Sequence, residues 1–300
     1  MNNIKKYLTR IFQGIAIGIA AIIPGVSGGT LAVMFNIYDE LIEAVAGIRK
    51  HFLKSIKTLL PLLIGALIGT CSIFFISLML KYIPIPTLCL FAGLIIGGIP
   101  PITEKVSGQK IKWHYIVILI FSIVIAAGIG FLSVQLNLDN SFTTITFDKV
   151  LVLIGAGFLA SCALIVPGIS GSMLLLSLGL YTPIMTIALK DLLHFQNFGH
   201  NLIIIGCFAI GILIGFFVIS KIMSYLLKKR LVPTYYGIIG FICGSLFAIF
   251  YNYDVINNNY YSTLGQWWQI LLMVLFLIFG IALTYGINVY TKKNRTAKKE

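Results

Sequence analysis

The chain has 300 residues, of which 59% are apolar and only 10% charged, with a mean hydropathy of +1.00. That leaves too little polar surface to coat a water-soluble globule and points to an integral membrane protein. The formal charge of +13, from 22 Lys and Arg against 9 Asp and Glu, sits in short clusters between apolar blocks, which marks membrane topology rather than nucleic-acid binding.

The apolar residues run in long blocks instead of alternating ten-residue strips, so spanning helices are expected and an outer-membrane barrel is not. The N-terminus, with Lys5, Lys6 and Arg10 before an apolar run, has the outline of a signal peptide. Cleavage after Ala21 would cut beside a motif that recurs later, so the segment reads as part of the protein. Cys71, Cys89, Cys162, Cys207 and Cys243 are odd in number and lie in apolar stretches, the pattern of packing thiols rather than of a disulfide framework.

In chain order, a broken apolar segment at 11–37 carries P-G-V-S-G-G-T at 24–30, and continuous apolar segments follow at 58–81, 86–102 and 113–135. A second broken segment, 150–190, carries P-G-I-S-G-S-M at 167–173 and precedes continuous segments at 202–227, 235–251 and 267–290. The correspondence extends beyond the motifs: Gly14 matches Gly157, Tyr38 matches Tyr181, Gly65 and Gly69 match Gly211 and Gly215, and Trp113 matches Trp267. The paired glycines are small-xxx-small sites for close helix packing. Two repeats are expected, 1–145 and 146–291, followed by a basic tail at 292–300.

A single crossing by 11–37 would leave Arg49, Lys50, Lys54 and Lys57 outside, against the positive-inside rule. An even number of crossings, as a re-entrant hairpin or as two full passes, keeps them in the cytoplasm with both termini and leaves Lys81, Lys149 and Lys190 outside. Each repeat then has an odd count, so the second runs through the membrane inverted. The expected fold is an all-α polytopic membrane protein: an inverted repeat with two broken or re-entrant helical hairpins and about six continuous transmembrane helices. This is a recurrent architecture of secondary transporters.

The Pro-Gly breaks are tolerable at membrane depth only where backbone faces protein or a wet cavity. Pro24 and Pro167 end one half-helix, Gly25 and Gly168 permit the turn, and the hydroxyls of Ser27 and Ser170 are placed to cap the next half-helix. Gly28, Gly29 and Gly171 keep the approach clear of side chains. Free amides at such a start suit a phosphate or carboxylate. The plain alternative is that Pro and Gly kink packed helices, but two matched copies weigh against it.

Asp39, Glu40 and Glu43, after the first motif, are the candidates for proton coupling, with a solvated helix face as the alternative. Arg10 and Lys57 are candidate head-group cations, although topology and snorkelling account for them as well. His51, His114, His194 and His200 are dispersed, so neither a metal nor another cofactor is expected.

The doubled P-G-x-S-G motif, with Thr30 after the first copy and Tyr38 and Tyr181 downstream, resembles the PopT-type family of bacterial membrane proteins over roughly 10–290. That family was long a domain of unknown function, and its members are regarded as polyprenyl-phosphate translocases. The resemblance implies return of undecaprenyl phosphate, the C55 carrier lipid of cell-envelope polymer synthesis, from the outer to the cytoplasmic leaflet of the bacterial membrane. The family motif falls on Pro24, Gly25, Ser27, Gly28, Gly29 and Thr30, and on Pro167, Gly168, Ser170 and Gly171. The second copy departs at Ser172 and Met173, which implies unequal binding. Partners are a polyprenyl phosphate and membrane lipids, with no nucleic acid, and the oligomeric state is left open.

Two rivals stand beside this reading. An anion or small-metabolite secondary transporter fits the same backbone chemistry. An undecaprenyl-pyrophosphate phosphatase resembles the chain in its inverted repeats and its P-G-x-S-R-S turn, but Gly28 and Gly171 occupy the arginine place here, and phosphoryl transfer needs cations on the equatorial oxygens.

Overall fold

The computed structural model describes residues 3–22, 27–135, 142 and 144–296, and among these it is all helical. The first half contains α1 (Asn3–Ile22), α2 (Gly28–Met34), α3 (Tyr38–Ala46), α4 (Phe52–Thr70), α5 (Ile73–Tyr82), α6 (Pro84–Gly97), α7 (Ile99–Thr103) and α8 (Trp113–Gln135). The second contains α9 (Phe147–Ile165), α10 (Gly171–Ser177), a π-helical stretch (Thr182–Ala188), α11 (Leu189–Leu193), α12 (Phe198–Lys229), α13 (Leu231–Phe250), α14 (Tyr253–Asn257), a 3-10 turn (Tyr260–Gly265) and α15 (Trp267–Thr296).

Seven helical stretches of the described residues are long and apolar enough to cross a membrane, one more than the six continuous segments expected. The addition is α9, the first arm of the second hairpin, whose 19 residues suffice for a crossing. The expected segment 58–81 is not continuous. It breaks at Cys71 and Ser72, where the Cys71 amide bonds the Ile68 carbonyl and the Ser72 hydroxyl bonds the Gly69 carbonyl at 2.6 Å. Such back-bonding competes with the helical ladder without disturbing the hydrophobic pattern, so the sequence gives no warning of it. In α6 and α13, Pro84, Pro86 and Pro233 sit in the first turn, where the missing N–H costs nothing.

The helices pair in a repeated way. α1 packs along α4, and α9 along α12. Here the expected small-residue packing is realised: a Cβ at Gly65 would collide with the Ile11 carbonyl, and one at Gly211 with the Ile154 carbonyl. The remaining pairs draw one helix from each half, α6 with α15 and α8 with α13. Gly93 abuts Leu277 and Gly97 abuts Ile281, just as Gly240 abuts Leu119 and Gly244 abuts Ile123. Leu277 lies ten residues beyond Trp267, whereas Leu119 lies six beyond Trp113, so α15 carries an extra turn before the shared contact and the two tryptophans are not equivalent. α6 is the most buried span and α15 the least, which places α6 at the centre with apolar faces turned outward around it.

Candidate functional site

The two interrupted segments fold alike. In the first, the amides of Phe35, Asn36 and Ile37 return to the carbonyls of Leu31, Val33 and Ala32; in the second, those of Leu178, Gly179 and Leu180 return to Leu174, Leu176 and Leu175. Both turns place a residue in the left-handed region, Asn36 at φ 55° and Gly179 at φ 67°, the residue types that tolerate it. Beyond the second turn, α10 and the stretch Thr182–Leu193 are bent by 109°.

These hairpins meet each other. The Gly168 amide donates to Thr30 Oγ1 at 2.7 Å, the Ser27 hydroxyl donates to the Ala163 carbonyl at 3.3 Å, and the Tyr38 hydroxyl donates to the Ile165 carbonyl at 2.9 Å. All six participating residues are buried, Thr30 to 1% exposure. The carbonyls of Ala163 and Ile165 belong to the last turn of α9, where four acceptors lack intrahelical donors, so Ser27 and Tyr38 satisfy groups that the break leaves orphaned. Gly168, at φ 86°, lies so close to the Phe241 backbone that no Cβ fits.

The sequence placed Ser27 and Ser170 correctly as the residues before α2 and α10, but neither hydroxyl caps its helix. Ser27 turns outward to Ala163, and Ser170 lies 3.0 Å from Ser172 Oγ. Ser172 stands where the first motif has Gly29, and it supplies a local partner that competes with any cap. The leading amides of both short helices remain orphan donors in the sense every helix start does. Gly29 fits against the Leu164 and Ile165 carbonyls, and Gly28 against Ile17, whereas a Cβ at Gly171 would make ordinary contact with Ala163. Pro167 is buried. Pro24 and Gly25 lie outside the described residues.

The three carboxylates after the first motif are brought together on α3, and each is ion-paired to a different element. Asp39 meets Lys105, beyond α7, at 3.0 Å and accepts from the Tyr235 hydroxyl of α13 at 2.8 Å; Glu40 pairs with Arg10 of α1; Glu43 lies 3.1 Å from Lys228 of α12. They form cross-ties on a face that stays partly solvated, with the three carboxylate side chains 41–58% exposed. Arg10 keeps a buried second nitrogen, Nη1, without a hydrogen-bond partner, and Gln13 Oε1, one turn further along α1, is in the same condition. Unpaired buried polar atoms are rare enough to mark a place where another polar group belongs. Lys57 is exposed and joins neither the motifs nor the ties. Tyr235, Lys105 and Lys228 were not singled out by the sequence, because each lies far from its partner, up to 196 residues in the case of Tyr235.

Fold and site define a polytopic helical membrane protein whose two broken hairpins interlock. The comparisons carry this further. Residues 17–268 match the model of the VCA0040-like, undecaprenyl phosphate translocase-like family, and the chain belongs to that family. It is 35% identical over 288 residues to the polyprenyl-phosphate transporter of Staphylococcus aureus, covering 92% of this chain and 95% of that one. It is 31% identical over 256 residues to the polyprenyl-phosphate transporter of Vibrio cholerae, covering 80% and 77% respectively. No solved structure matches.

Proposed function

We propose that this chain is a transporter of undecaprenyl phosphate or a closely related polyprenyl phosphate, returning it from the outer to the cytoplasmic leaflet of the bacterial cell membrane. The observation that carries the reading is the reciprocal contact of the two P-G-x-S-G hairpins, Gly168 to Thr30 and Ser27 to Ala163, at a buried place supplied by both halves. Membership of the family and the names of the two relatives support the substrate class. A phosphate bearing one or two charges cannot cross hydrocarbon unaided, whereas the polyprenyl tail can stay in lipid, so only the head group needs a protein path.

In this reading residues 1–145 and 146–291 are inverted repeats, with both termini and the basic tail 292–300 in the cytoplasm. The helix pairing supports it, since every pair recurs with the halves exchanged. The phosphate is held by Pro24, Gly25, Ser27, Gly28, Gly29 and Thr30 from one side and by Pro167, Gly168, Ser170, Gly171 and Ser172 from the other. To admit it, the hairpins must part, because Thr30 and Ala163 now occupy the partners a phosphate would use. Arg10, with one unsatisfied nitrogen, is a cation suited to follow the head group. Asp39, Glu40 and Glu43 act as ties, and protonating one removes the attraction that holds α3, which would couple protons to movement. Hydrolysis is disfavoured because no Lys or Arg is hydrogen-bonded to Ser27 or Ser170 among the described residues.

The test is leaflet exchange in vesicles with and without protein, read together with phosphate release from undecaprenyl pyrophosphate. Exchange of undecaprenyl phosphate without release is expected. Release without exchange would overturn the transport reading in favour of a phosphatase.

A further inference from the structure

Away from the motifs, a cavity of about 840 Å³ lies between α3, the start of α4 and the end of α12. α3 packs against both of the other helices, so the cavity is built by three elements. Its cations come from two directions: Lys50 and Lys54 from the α3–α4 side, Lys221 and Lys229 from α12, with His51 beside them. Two carboxylates reach its wall, but Glu43 is tied to Lys228 and Glu40 to Arg10. Among the described residues no carboxylate pairs with Lys50, Lys54, Lys221 or Lys229. Arg49, next in the chain, lies instead over the Phe217 ring, 5.8 Å from its centroid.

Lys50, Lys54, Lys221 and Lys229 are exposed, and four ammonium groups around one concave space make it a region of positive potential that attracts an anion. Ser55, 3% exposed, also lines the cavity and adds a hydroxyl donor to its wall. We propose that this cavity is a second binding site, separate from the motifs, for the phosphate monoester of a lipid head group. A monoester carries about −1.5 to −2 charges near neutral pH and three acceptor oxygens, which matches several lysines and a serine better than the single charge of a phosphodiester. The volume exceeds what a bare phosphate fills and leaves room for the beginning of an attached chain. Naming the transported polyprenyl phosphate as the source of the monoester rests on the function proposed above, whereas the chemistry of the cavity does not.

The experiment uses the full chain in phosphatidylcholine nanodiscs and reads acylation of individual lysines by mass spectrometry. Saturating farnesyl phosphate should slow labelling of Lys54 and Lys221, and farnesol should not. The K54Q/K221Q variant should bind farnesyl phosphate about tenfold more weakly at unchanged thermal stability, with K54R/K221R restoring most of the affinity. Equal protection by inorganic phosphate would overturn the lipid source, and equal protection by phosphatidylglycerol would overturn the monoester. No protection by any probe, or a K54Q/K221Q variant that binds unchanged, would remove the site. Protection in a protein that shows no leaflet exchange would leave the cavity site standing and sink transport; exchange without protection would do the reverse.

Discussion

The two hairpins share a backbone but not a means of attachment. The returning arm of the first, α3, is tied by Arg10, Lys105 and Lys228 to three other elements, and its Tyr38 also grips α9. The returning arm of the second contains Lys190 and Asp191, yet among the described residues it makes no ion pair; it buries Ile184 and Ala188 and passes through a π-helical stretch. π-Helical turns are rare and recur at functional sites. Copies of one motif have therefore come to differ in how firmly they are anchored: charge holds the first, apolar contact the second. The second arm is the one expected to move at least cost, and the first to move only when its ties are broken.

The largest effect should come from Gly168→Ala. It forces a side chain into a positive φ and against the Phe241 backbone, and should cost about 3 kcal/mol or more, read as loss of the thermal transition in detergent. Gly171→Ala, three residues on in the same motif but with room for a methyl, should stay within about 1 kcal/mol. Equal losses would show that the second break is not specially constrained. Next, Thr30→Val leaves the buried Gly168 amide without its acceptor and should cost about 1–3 kcal/mol by the same measurement. Ser170→Ala should cost clearly less than Ser27→Ala, because Ser170 bonds only its neighbour Ser172 whereas Ser27 bridges the hairpins. The reverse order would break the comparison.

The ties themselves grade downward. Tyr235→Phe removes a buried donor to a carboxylate and should cost about 1–2 kcal/mol. Lys228→Gln breaks a pair whose side chains are 61% and 58% exposed and should cost under about 0.5 kcal/mol, with little left at high salt. Amide hydrogen exchange would sharpen the contrast directly: residues 182–193 should exchange faster than 38–46, and slower exchange would place mobility in the first arm instead.

Much of this arrangement was legible in the sequence. Helix-length apolar runs, doubled Pro-Gly breaks and glycines four apart encode local geometry, and Gly65 and Gly211 do sit at close helix contacts. What eluded the sequence is relational. Nothing near Asp39 in the chain announces Tyr235, and a single chain carries no record of which distant residues meet. The cavity lysines were legible only as topology, since one ammonium group can both fix orientation and line a site. Seven consecutive residues, P-G-V-S-G-G-T, signalled a turn, but the outward swing of Ser27 depended on where α9 ends in the other half.

The exchanged packing of α6 on α15 and α8 on α13 has a consequence for assembly. A polypeptide stopping near residue 145 would lack the surfaces its central helices rest upon and would have to borrow them from a second molecule. Severing the backbone between α8 and α9 should therefore yield two fragments that are stable only as a stoichiometric complex, co-purifying after joint synthesis and degraded when made singly.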